Sequence, residues 1–466
     1  MSELSKAKEI EKELSYSKKN VFEEASAKKI EEIYEYSKGY MKYLDASKTE
    51  REATEETIRL AKAKGFTEYK IGDKISVGDK RYLNQHGKSV ILFTVGKKDI
   101  EKYGIRLLAA HIDSPRIDLK QVPMYEDSGM AFLKTHYYGG VKKYQWTAIP
   151  LAMHGVVVKA NGEVVNVKIG DEEGDPVFYI NDLLPHLGRK QAQEPLGTAI
   201  AGESLNILIG GLPYADEDVK DKIKLTALSI LNEKYGITEE DFLSAELSLV
   251  PAFNARDIGF DRALIASYGH DDRVCAYPAV TALLDNLDTE NSCMVILADK
   301  EEVGSAGLTG MQSDYLVDVI EEIALNLGKN PRRVRASSKC LSADVTAAYD
   351  PNFSEVYEKK NSAMLSMGTA LCKFTGSGGK SGTSDASAEF VAFVRKIFNE
   401  NNVIWQTCEL GKVDAGGGGT VAKFIANHNI ETVDIGVPVI SMHAPYEVVS
   451  KADVYSTYEA FSVFIK

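Results

Sequence analysis

The sequence contains little cysteine: its 466 residues include five. These are Cys275, Cys293, Cys340, Cys372 and Cys408. They are scattered, and no two of them form a Cys-x-x-Cys pair, so the sequence supports neither a disulfide framework nor a zinc site built from thiolates. This use of cysteine favours a reduced, cytoplasmic compartment.

Long hydrophobic runs are also missing. No apolar stretch reaches the ~18 residues that a membrane-spanning helix needs. The N-terminal stretch Met1–Lys8 is charged and has no apolar segment of the kind that a secretory signal contains. We therefore expect neither a membrane span nor export, and we predict a cytoplasmic location.

Clustered positive charge is absent as well. The chain has 55 Lys and Arg against 68 Asp and Glu, for a net charge of −13. This balance argues against a nucleic-acid surface, and it means that a pocket for an acidic substrate would have to be locally positive. The glycine-rich stretch 376–381 fails the spacing of a phosphate loop, because Phe374 occupies the place of the first glycine.

The length of the chain predicts more than one domain, because single hydrophobic cores stop growing at about 250–300 residues. In the middle of the chain, glycine pairs and short alternating strands such as Gly155–Ala160 indicate a β-rich unit. The motifs that could carry chemistry lie before and after this unit. We therefore predict a catalytic domain formed by residues 1–122 and 248–466, interrupted by an inserted domain of residues 123–247.

The motif around which the chain is organised is Asp299-Lys-Glu-Glu-Val-Gly-Ser305. It follows the apolar run Met294–Ala298, which is typical of a buried strand. Open α/β sheets place their chemistry at such carboxyl ends. Of the two adjacent acids, Glu301 and Glu302, one could bind a metal ion while the other acts as a general base. The alternative is a solvated turn with two surface acids.

A second candidate is His111, which ends the predicted strand Gly104–Ala110. Asp113 follows two residues later and could accept the second N–H of a metal-bound imidazole. The alternative for His111 is a structural histidine. The histidines of the middle unit, His136, His154 and His186, are each better explained as structural on the sequence alone.

Three further residues stand at the ends of predicted elements. Asp271 and Asp272 precede an apolar helix, where one acid could bridge two cations while Arg273 neutralises the other; the alternative is a helix cap with a salt bridge. Asp344 closes a strand-like run, and His443 ends a predicted last strand, Thr432–His443. Imidazole and carboxylate ligands without thiolate suit zinc, manganese or cobalt. Five such ligands could serve a two-metal hydrolase, whose ions lie about 3.5–4 Å apart.

The order of these motifs resembles that of the co-catalytic metallo-aminopeptidases, and most closely the bacterial-type branch of the aspartyl aminopeptidase family (M18). The resemblance covers residues from about 105 to 445. The matching stretches are Ala110–Pro115, Tyr138–Gly140, Asp271-Asp272, Asp299–Ser305, Ser342–Asp344, Pro351-Asn352 and Thr432–His443.

The resemblance implies an α/β fold: a three-layer catalytic domain with a mixed central sheet, interrupted by a β-rich dimerisation domain. It also implies a metal-dependent exopeptidase that releases N-terminal amino acids from peptides. One divalent ion, most simply Zn²⁺, would be held by His111 and Asp344. A second would be held by Glu302 and His443, and Asp271 would bridge both. Glu301 would take the proton of the attacking water.

The family further implies a homo-oligomer, with dimers assembled into a dodecamer. Asp113 would assist catalysis by accepting the second N–H of the His111 ring. His186 looks similar to a family histidine of the inserted domain, which is either an accessory metal ligand or a contact to the substrate in a neighbouring subunit.

Some positions depart from the family pattern. Ala347 and Asp350 stand where many members have histidines, and Asp272 stands where eukaryotic members have asparagine. The family preference for N-terminal Asp or Glu depends on the pocket, so these departures leave the preferred residue open. Lys373 and Lys380 are the candidates for positive charge there. The alternative to an enzyme is a metal-stabilised assembly or cargo protein with a vestigial peptidase site.

Overall fold

The computed structural model describes residues 6–466, so residues 1–5 of the charged N-terminal stretch lie outside it. The α-helices of the described chain are α1 (Lys6–Leu14), α2 (Val21–Glu24), α3 (Ala27–Ala46), α4 (Glu50–Ala63), α5 (Ile100–Tyr103), α6 (Leu196–Ala199), α7 (Lys222–Tyr235), α8 (His270–Asp285), α9 (Tyr315–Asn326), α10 (Pro331–Ser337), α11 (Ala388–Glu400), α12 (Ala422–Ala426) and α13 (Lys451–Ile465).

The strands are β1 (Thr67–Glu68), β2 (Lys80–Gln85), β3 (Ser89–Thr94), β4 (Ile105–His111), β5 (Arg116–Asp127), β6 (Met130–Tyr138), β7 (Leu151–Val158), β8 (Val164–Ile169), β9 (Tyr179–Ile180), β10 (Ile207–Gly210), β11 (Ala245–Pro251), β12 (Arg256–Ile258), β13 (Leu264–Ser267), β14 (Ser292–Ala298), β15 (Lys339–Ala343), β16 (Thr346–Ala347), β17 (Thr369–Cys372), β18 (Gly376–Ser377), β19 (Trp405–Thr407), β20 (Gly417–Gly418), β21 (Glu431–Gly436), β22 (Pro438–Ile440) and β23 (Glu447–Ser450).

A nine-stranded mixed sheet forms the centre of the molecule, in the order β1-β2-β3-β14-β4-β15-β21-β17-β19. Its middle strands β14, β4, β15 and β21 are parallel. Alternate residues of β14 pack into two different cores: Val295 and Leu297 face one, and Met294 and Ile296 face the other. A strand that is buried on both faces reads as a continuous apolar run, which is why Met294–Ala298 stood out in the sequence.

Helices cover both faces of this sheet. The core on one face includes buried residues of α3, α4, α8, α11 and α13. The core on the other face includes residues of α9, α10 and α12. The fold is therefore a three-layer α/β arrangement around a mixed sheet, and the predicted fold class is confirmed.

A second sheet of seven strands has the order β8-β7-β11-β5-β6-β10-β9. Its strands lie between Arg116 and Pro251 and form a core of their own, against which α7 packs. This is the β-rich unit that the middle of the sequence indicated. The division of the chain into domains at residues 122 and 247 stays a prediction.

A third sheet has five strands in the order β12-β13-β23-β22-β16. Its strands show that one prediction is wrong. The stretch Thr432–His443 is not one strand: β21 belongs to the nine-stranded sheet and β22 to the five-stranded sheet. The break falls at Val437, between Gly436 and Pro438. His443 therefore lies in a turn three residues beyond β22, not at a strand end. Its backbone φ is +65°, in the left-handed region.

The absence of disulfides predicted from the cysteine spacing is wrong for one pair. Cys372 and Cys408 are bonded, with their Cα atoms 5.2 Å apart. The parallel pairing of β17 with β19 sets Leu371 opposite Thr407, so the next residue of each strand meets its counterpart. The two cysteines are separated by 36 positions, and only the sheet pairing brings them together. The other three cysteines are buried and free.

Between Lys6 and Lys466, no helix combines the length and the hydropathy that crossing a bilayer requires.

Candidate metal centre

Three neighbouring parallel strands place acids and a histidine at one edge of the central sheet. His111 is the last residue of β4, and it pairs with Ala298, the last residue of β14. The short 3₁₀ helix Glu301–Val303 follows β14, and Asp344 follows β15. Because the carboxyl ends of parallel strands meet at the same edge, residues distant in the sequence converge there.

The other two residues come from the five-stranded sheet. Asp271 lies in the first turn of α8, just after β13. Its backbone is not helical, and the peptide bond to Asp272 is cis. His443 follows β22. The structure therefore brings together all five predicted ligands, His111, Asp271, Glu302, Asp344 and His443, although two separate sheets supply them.

The side-chain distances define two clusters that share one carboxylate. Nε2 of His111 lies 3.1 Å from Oδ1 of Asp271 and 3.7 Å from Oδ1 of Asp344. Nε2 of His443 lies 3.1 Å from Oδ2 of Asp271 and 3.3 Å from Oε1 of Glu302. Within each of these two clusters, one ligand atom from every residue lies within 4.8 Å of the others. Asp271 therefore presents one oxygen to each cluster.

The donor atoms of this centre fit divalent cations. Oδ1 of Asp271 and Oε1 of Glu302 are buried and accept no hydrogen bond. Buried polar atoms are normally paired, because leaving one unpaired costs about 1–3 kcal/mol. A zinc or similar ion satisfies such oxygens together with imidazole nitrogens.

Burial and the charges of neighbouring groups shift the pKa values of the acids and of His443 in the centre. Burial, followed by the nearby carboxylate of Asp344, raises the pKa of Glu301 to about 8. Burial and the proximity of Asp271 likewise raise the pKa of Glu302. Burial alone would lower the pKa of His443, but its contact with Asp271 outweighs this and raises the pKa to about 10. The site thus carries more negative charge than its two imidazoles offset, which suits cation binding.

In both imidazoles, Nδ1 contacts a backbone carbonyl, and Nε2 points into the centre. Nδ1 of His111 lies 3.0 Å from the backbone carbonyl of Asp113 and 3.3 Å from its carboxylate. Nδ1 of His443 lies 2.9 Å from the carbonyl of Gly140. Such partners fix the ring orientation of a ligating histidine.

The carboxylate of Asp113 also organises the Glu301-Glu302 turn. It accepts hydrogen bonds from the backbone N–H groups of Glu301 and Glu302, at 3.1 and 3.2 Å. The hydroxyl of Tyr138 donates a third, at 2.8 Å. Asp113 is fully buried. It therefore positions the imidazole of His111 on one side and the proposed base on the other.

The stretch Tyr138–Gly140, at the end of β6, connects the second sheet to the centre. Gly139 has a φ of +73°, and a Cβ there would lie 3.2 Å from Cβ of Glu302. A Cβ at Gly140 would lie 3.0 Å from Nδ1 of His443. Gly139 favours glycine through its positive φ, and at both places a Cβ would press against the side chains of the centre. The glycine pair was visible in the sequence, but its contacts were not.

Sequence reasoning missed Glu447, the first residue of β23. Its buried carboxylate accepts a hydrogen bond from the backbone N–H of Asp271 at 3.1 Å and another from the N–H of His443 at 2.8 Å. It thereby ties together the backbones of two residues that are 172 positions apart. A single Glu in an apolar stretch carries no signal for this role, which depends on the pairing of β23 with β13 and β22.

One prediction about a residue beside the ligands differs from the structure. Arg273 does not pair with Asp272: its Nη2 donates to the carbonyl of Lys48 at 3.1 Å. Burial, followed by repulsion from Asp344, raises the pKa of Asp272. His186 lies in an exposed turn and belongs to none of the possible metal-binding clusters of residues 6–466. Its predicted contact to the substrate in a neighbouring subunit stays a prediction.

A cavity of about 240 Å³ opens directly onto the centre. Asp271, Glu301, Glu302, Asp344 and His443 are among the residues that line it. Its walls also include Phe374, Leu410, Met442, Cys372 and the loop Gly417–Thr420. Gly417 and Gly418 form the short strand β20.

Comparison with known proteins gives a consistent result. The family model "Aminopeptidase I zinc metalloprotease (M18)" matches residues 43–465. A probable M18 family aminopeptidase 1 of Clostridium acetobutylicum is 46% identical over 455 residues, covering 96% of this chain and 98% of its own length. The crystal structure of an M18 family aminopeptidase from Thermotoga maritima superimposes with a TM-score of 0.92 at 42% identity, covering 97% of this chain and 100% of that one. The S. cerevisiae mApe1 dodecamer shares the fold at 21% identity, with a TM-score of 0.75, covering 92% of this chain and 96% of that one.

Proposed function

The chain belongs to the M18 family of zinc metallo-aminopeptidases, and from that premise we propose that it releases N-terminal amino acids at a centre of two divalent metal ions. The observation that carries this proposal is the position of the Asp271 carboxylate between His111 and His443. A carboxylate with one oxygen toward each imidazole is the arrangement that a bridging ligand needs.

The proposed ligand sets follow from the two clusters. His111, Asp271 and Asp344 would hold one ion, and Asp271, Glu302 and His443 the other. Zn²⁺ suits these oxygen and nitrogen donors and is the metal of the family; Mn²⁺ and Co²⁺ suit the same donors. When bound, such ions lower the pKa of a water molecule and polarise the carbonyl of the scissile bond.

Glu301 is the proposed general base. Its side chain lies beside His111 and Glu302, but it is not part of either ligand set that contains Asp271. Burial, followed by the carboxylate of Asp344, raises its pKa, whereas bound cations would lower it again, so that the ionised carboxylate could accept a proton from water and then give it to the leaving amine. Asp113 holds the backbone of Glu301 in place, so the carboxylate has a fixed position relative to the ligands.

Self-association is proposed for the second sheet. The segment around His186 exposes large apolar side chains that are close in the sequence: Leu183, Leu184, Leu187 and Leu196 are each at least 45% exposed. Large exposed apolar patches mark interaction sites. The similar S. cerevisiae protein was solved as a dodecamer. We place the contact between copies of this chain here, with His186 contacting the site of a neighbouring copy.

The proposed function is tested by removing and restoring metal. The protein is treated with a chelator, dialysed and reconstituted with Zn²⁺, Mn²⁺ or Co²⁺, and bound metal is counted by mass spectrometry. Release of amino acids from peptides should disappear with the metal and return with it at two ions per subunit. A peptide blocked at its α-amine should not be cleaved. Two bound ions without turnover of any free peptide would instead favour a metal-stabilised assembly protein with a vestigial site.

A further inference from the structure

We propose that Tyr138, at the end of β6, is a positioning residue for the proton transfer. Its hydroxyl fixes the carboxylate of Asp113, and this carboxylate in turn fixes the backbone of Glu301. The inference rests on the proposed function. Tyr138 lines a separate cavity of about 230 Å³ and not the one that opens onto the ligands. An effect of Tyr138 on the reaction must therefore pass through another residue.

The turn that carries Glu301 depends on contacts from outside. It is a single 3₁₀ turn, Glu301–Val303, and Lys300 before it has a φ of +68° and provides no side-chain cap. The first N–H groups of a helix have no partner within the helix. At this turn, the N–H groups of Glu301 and Glu302 donate to the carboxylate of Asp113. The orientation of this carboxylate therefore determines the orientation of the turn.

The two oxygens of Asp113 have different partners. Oδ1 accepts from the N–H of Glu301 at 3.1 Å and lies 3.3 Å from Nδ1 of His111. Oδ2 accepts from the N–H of Glu302 at 3.2 Å and from the hydroxyl of Tyr138 at 2.8 Å. Among residues 6–466, Tyr138 supplies the one hydrogen bond to this carboxylate that comes from the seven-stranded sheet. Without it, the carboxylate is free to rotate about its contacts with the turn.

Arg116 restrains the ring of Tyr138. The two residues are direct partners in the antiparallel pairing of β5 with β6, and the guanidinium carbon lies 4.0 Å from the ring centroid. Nε of Arg116 donates to Asp118 at 2.8 Å, and Nη1 donates to Glu50 at 3.0 Å, so the guanidinium is fixed as well. A desolvated cation over an aromatic face attracts the ring and limits its rotation. The hydroxyl of Tyr138 therefore has a defined position.

The ligands have contacts that do not depend on this hydroxyl. The carbonyl of Gly140, two residues after Tyr138, lies 2.9 Å from Nδ1 of His443. Nδ1 of His111 lies 3.0 Å from the backbone carbonyl of Asp113. Loss of the hydroxyl alone should therefore leave both imidazoles in place and disturb the turn of the proposed base.

The test is Tyr138→Phe, which removes the hydroxyl and keeps the ring. Partners that orient groups at a metal centre are worth about 10–100-fold, so we expect kcat of the metal-loaded enzyme to fall at least ~10-fold. KM should change little, because Tyr138 does not contact the substrate. Titration of the metal-free protein with Zn²⁺ should give the affinity of the unchanged protein. Tyr137→Phe is the matched control: it removes the same group from the next residue of β6, which is 41% exposed, and should leave kcat unchanged.

A double variant shows whether Tyr138 acts through Glu301. In Glu301→Gln the proposed base is absent, so adding Tyr138→Phe to that variant should change its kcat by less than ~2-fold. An equal fall of kcat with and without Glu301 would overturn the inference, because the effects of independent residues multiply.

Two other results would overturn the inference and leave the proposed function intact. A Tyr138→Phe enzyme with a lower melting temperature but an unchanged kcat would show a purely structural role. Weaker binding of Zn²⁺ with an unchanged kcat at saturating metal would show that the hydroxyl acts on His111 and not on the base. If the unchanged protein cleaved no free peptide with two ions bound, the proposed function itself would be rejected, and the inference with it.

Discussion

His111 and His443 contact opposite oxygens of a single carboxylate, that of Asp271, each through Nε2 at 3.1 Å. Asp271 should therefore affect both proposed ions, whereas Asp344 belongs to one cluster. We expect Asp271→Asn to reduce bound metal from two ions toward none and to lower kcat at least ~100-fold, because an amide cannot present two anionic oxygens. Metal counting by mass spectrometry checks this.

The matched comparison for Asp271 is Asp344→Asn. This variant should retain one ion per subunit, since the cluster of Glu302 and His443 keeps its own donors. Equal loss of metal in the two variants, with the fold intact by circular dichroism, would contradict the assignment of Asp271 as the shared ligand.

Glu301→Gln isolates the proton transfer from metal binding. Glutamine has nearly the same shape but cannot accept a proton, and a general base contributes typically ~10²–10⁴-fold. We expect kcat to fall within that range while two ions stay bound and KM changes little. The measurement is steady-state kinetics on protein of verified metal content. A Glu301→Gln enzyme with full activity would remove Glu301 from the mechanism.

Glu447 should act through the two residues that it holds. Glu447→Gln replaces one of the two acceptor oxygens by an NH₂ group, so the backbone N–H of either Asp271 or His443 loses its partner. Since partners that orient metal ligands are worth about 10–100-fold in metal affinity, we expect weaker binding of the ion held by Glu302 and His443. Titration of the metal-free protein with Zn²⁺ checks this.

A purely structural role for Glu447 would give a different result. In that case Glu447→Gln would lower the melting temperature of the metal-free protein but leave its Zn²⁺ affinity unchanged. Glu409→Gln is a suitable control, because Glu409 is also an acid of the second half of the chain but does not contact the ligands.

The convergence of predicted site residues at one edge of the central sheet could be predicted, because each of these residues directly follows an apolar run in the sequence. Three apolar runs end at His111, at the Glu301-Glu302 turn and at Asp344, and parallel strands bring such ends together. The position of His443 was less predictable. The stretch Thr432–His443 looks like one apolar strand, but it is divided between two sheets at Val437. Gly436 and Pro438, which flank the break, are the residues that could have indicated it.

What could not be predicted depends on pairings between distant segments. Cys372 meets Cys408 through the register of β17 and β19. Lys373 and Lys380 appeared as candidates for substrate binding until the structure paired both with Asp385. Composition shows that such charges exist, but only the fold decides which partner each one has.

A second histidine network, away from the metal centre, joins the N-terminal helices to the seven-stranded sheet. His154 is buried on β7; its Nδ1 lies 2.8 Å from Oε1 of Glu52 on α4, and its Nε2 lies 3.1 Å from Oδ2 of Asp171. Burial alone would lower the pKa of His154, but these two acids outweigh it and raise the pKa above the usual 6.5. The same contacts lower the pKa values of Glu52 and Asp171 against the effect of burial.

Because of this network, the free energy of unfolding should fall both at higher pH and at lower pH. The contribution of His154 is complete below its unfolded pKa of 6.5 and is lost as the pH rises through its higher folded value. The contributions of Glu52 and Asp171 are complete above their unfolded values of 4.5 and 3.8 and are lost as the pH falls through their lower folded values. The network therefore stabilises the protein most between pH 4.5 and 6.5.

His154→Gln should consequently destabilise the protein most in that window, by roughly 2 kcal/mol, the scale of hydrogen bonds to charged groups. The difference from the unchanged protein should shrink as the pH rises through the raised folded-state pKa of His154, above which the imidazole is neutral in both states. Denaturant unfolding with saturating Zn²⁺ measures it, and taking the difference cancels the pH dependence of metal binding. His136→Gln, an exposed histidine on the same sheet, should show almost no effect. A destabilisation by His154→Gln that stayed constant from acid to alkaline pH would mean that packing, and not the charge of the imidazole, joins the helices to this sheet.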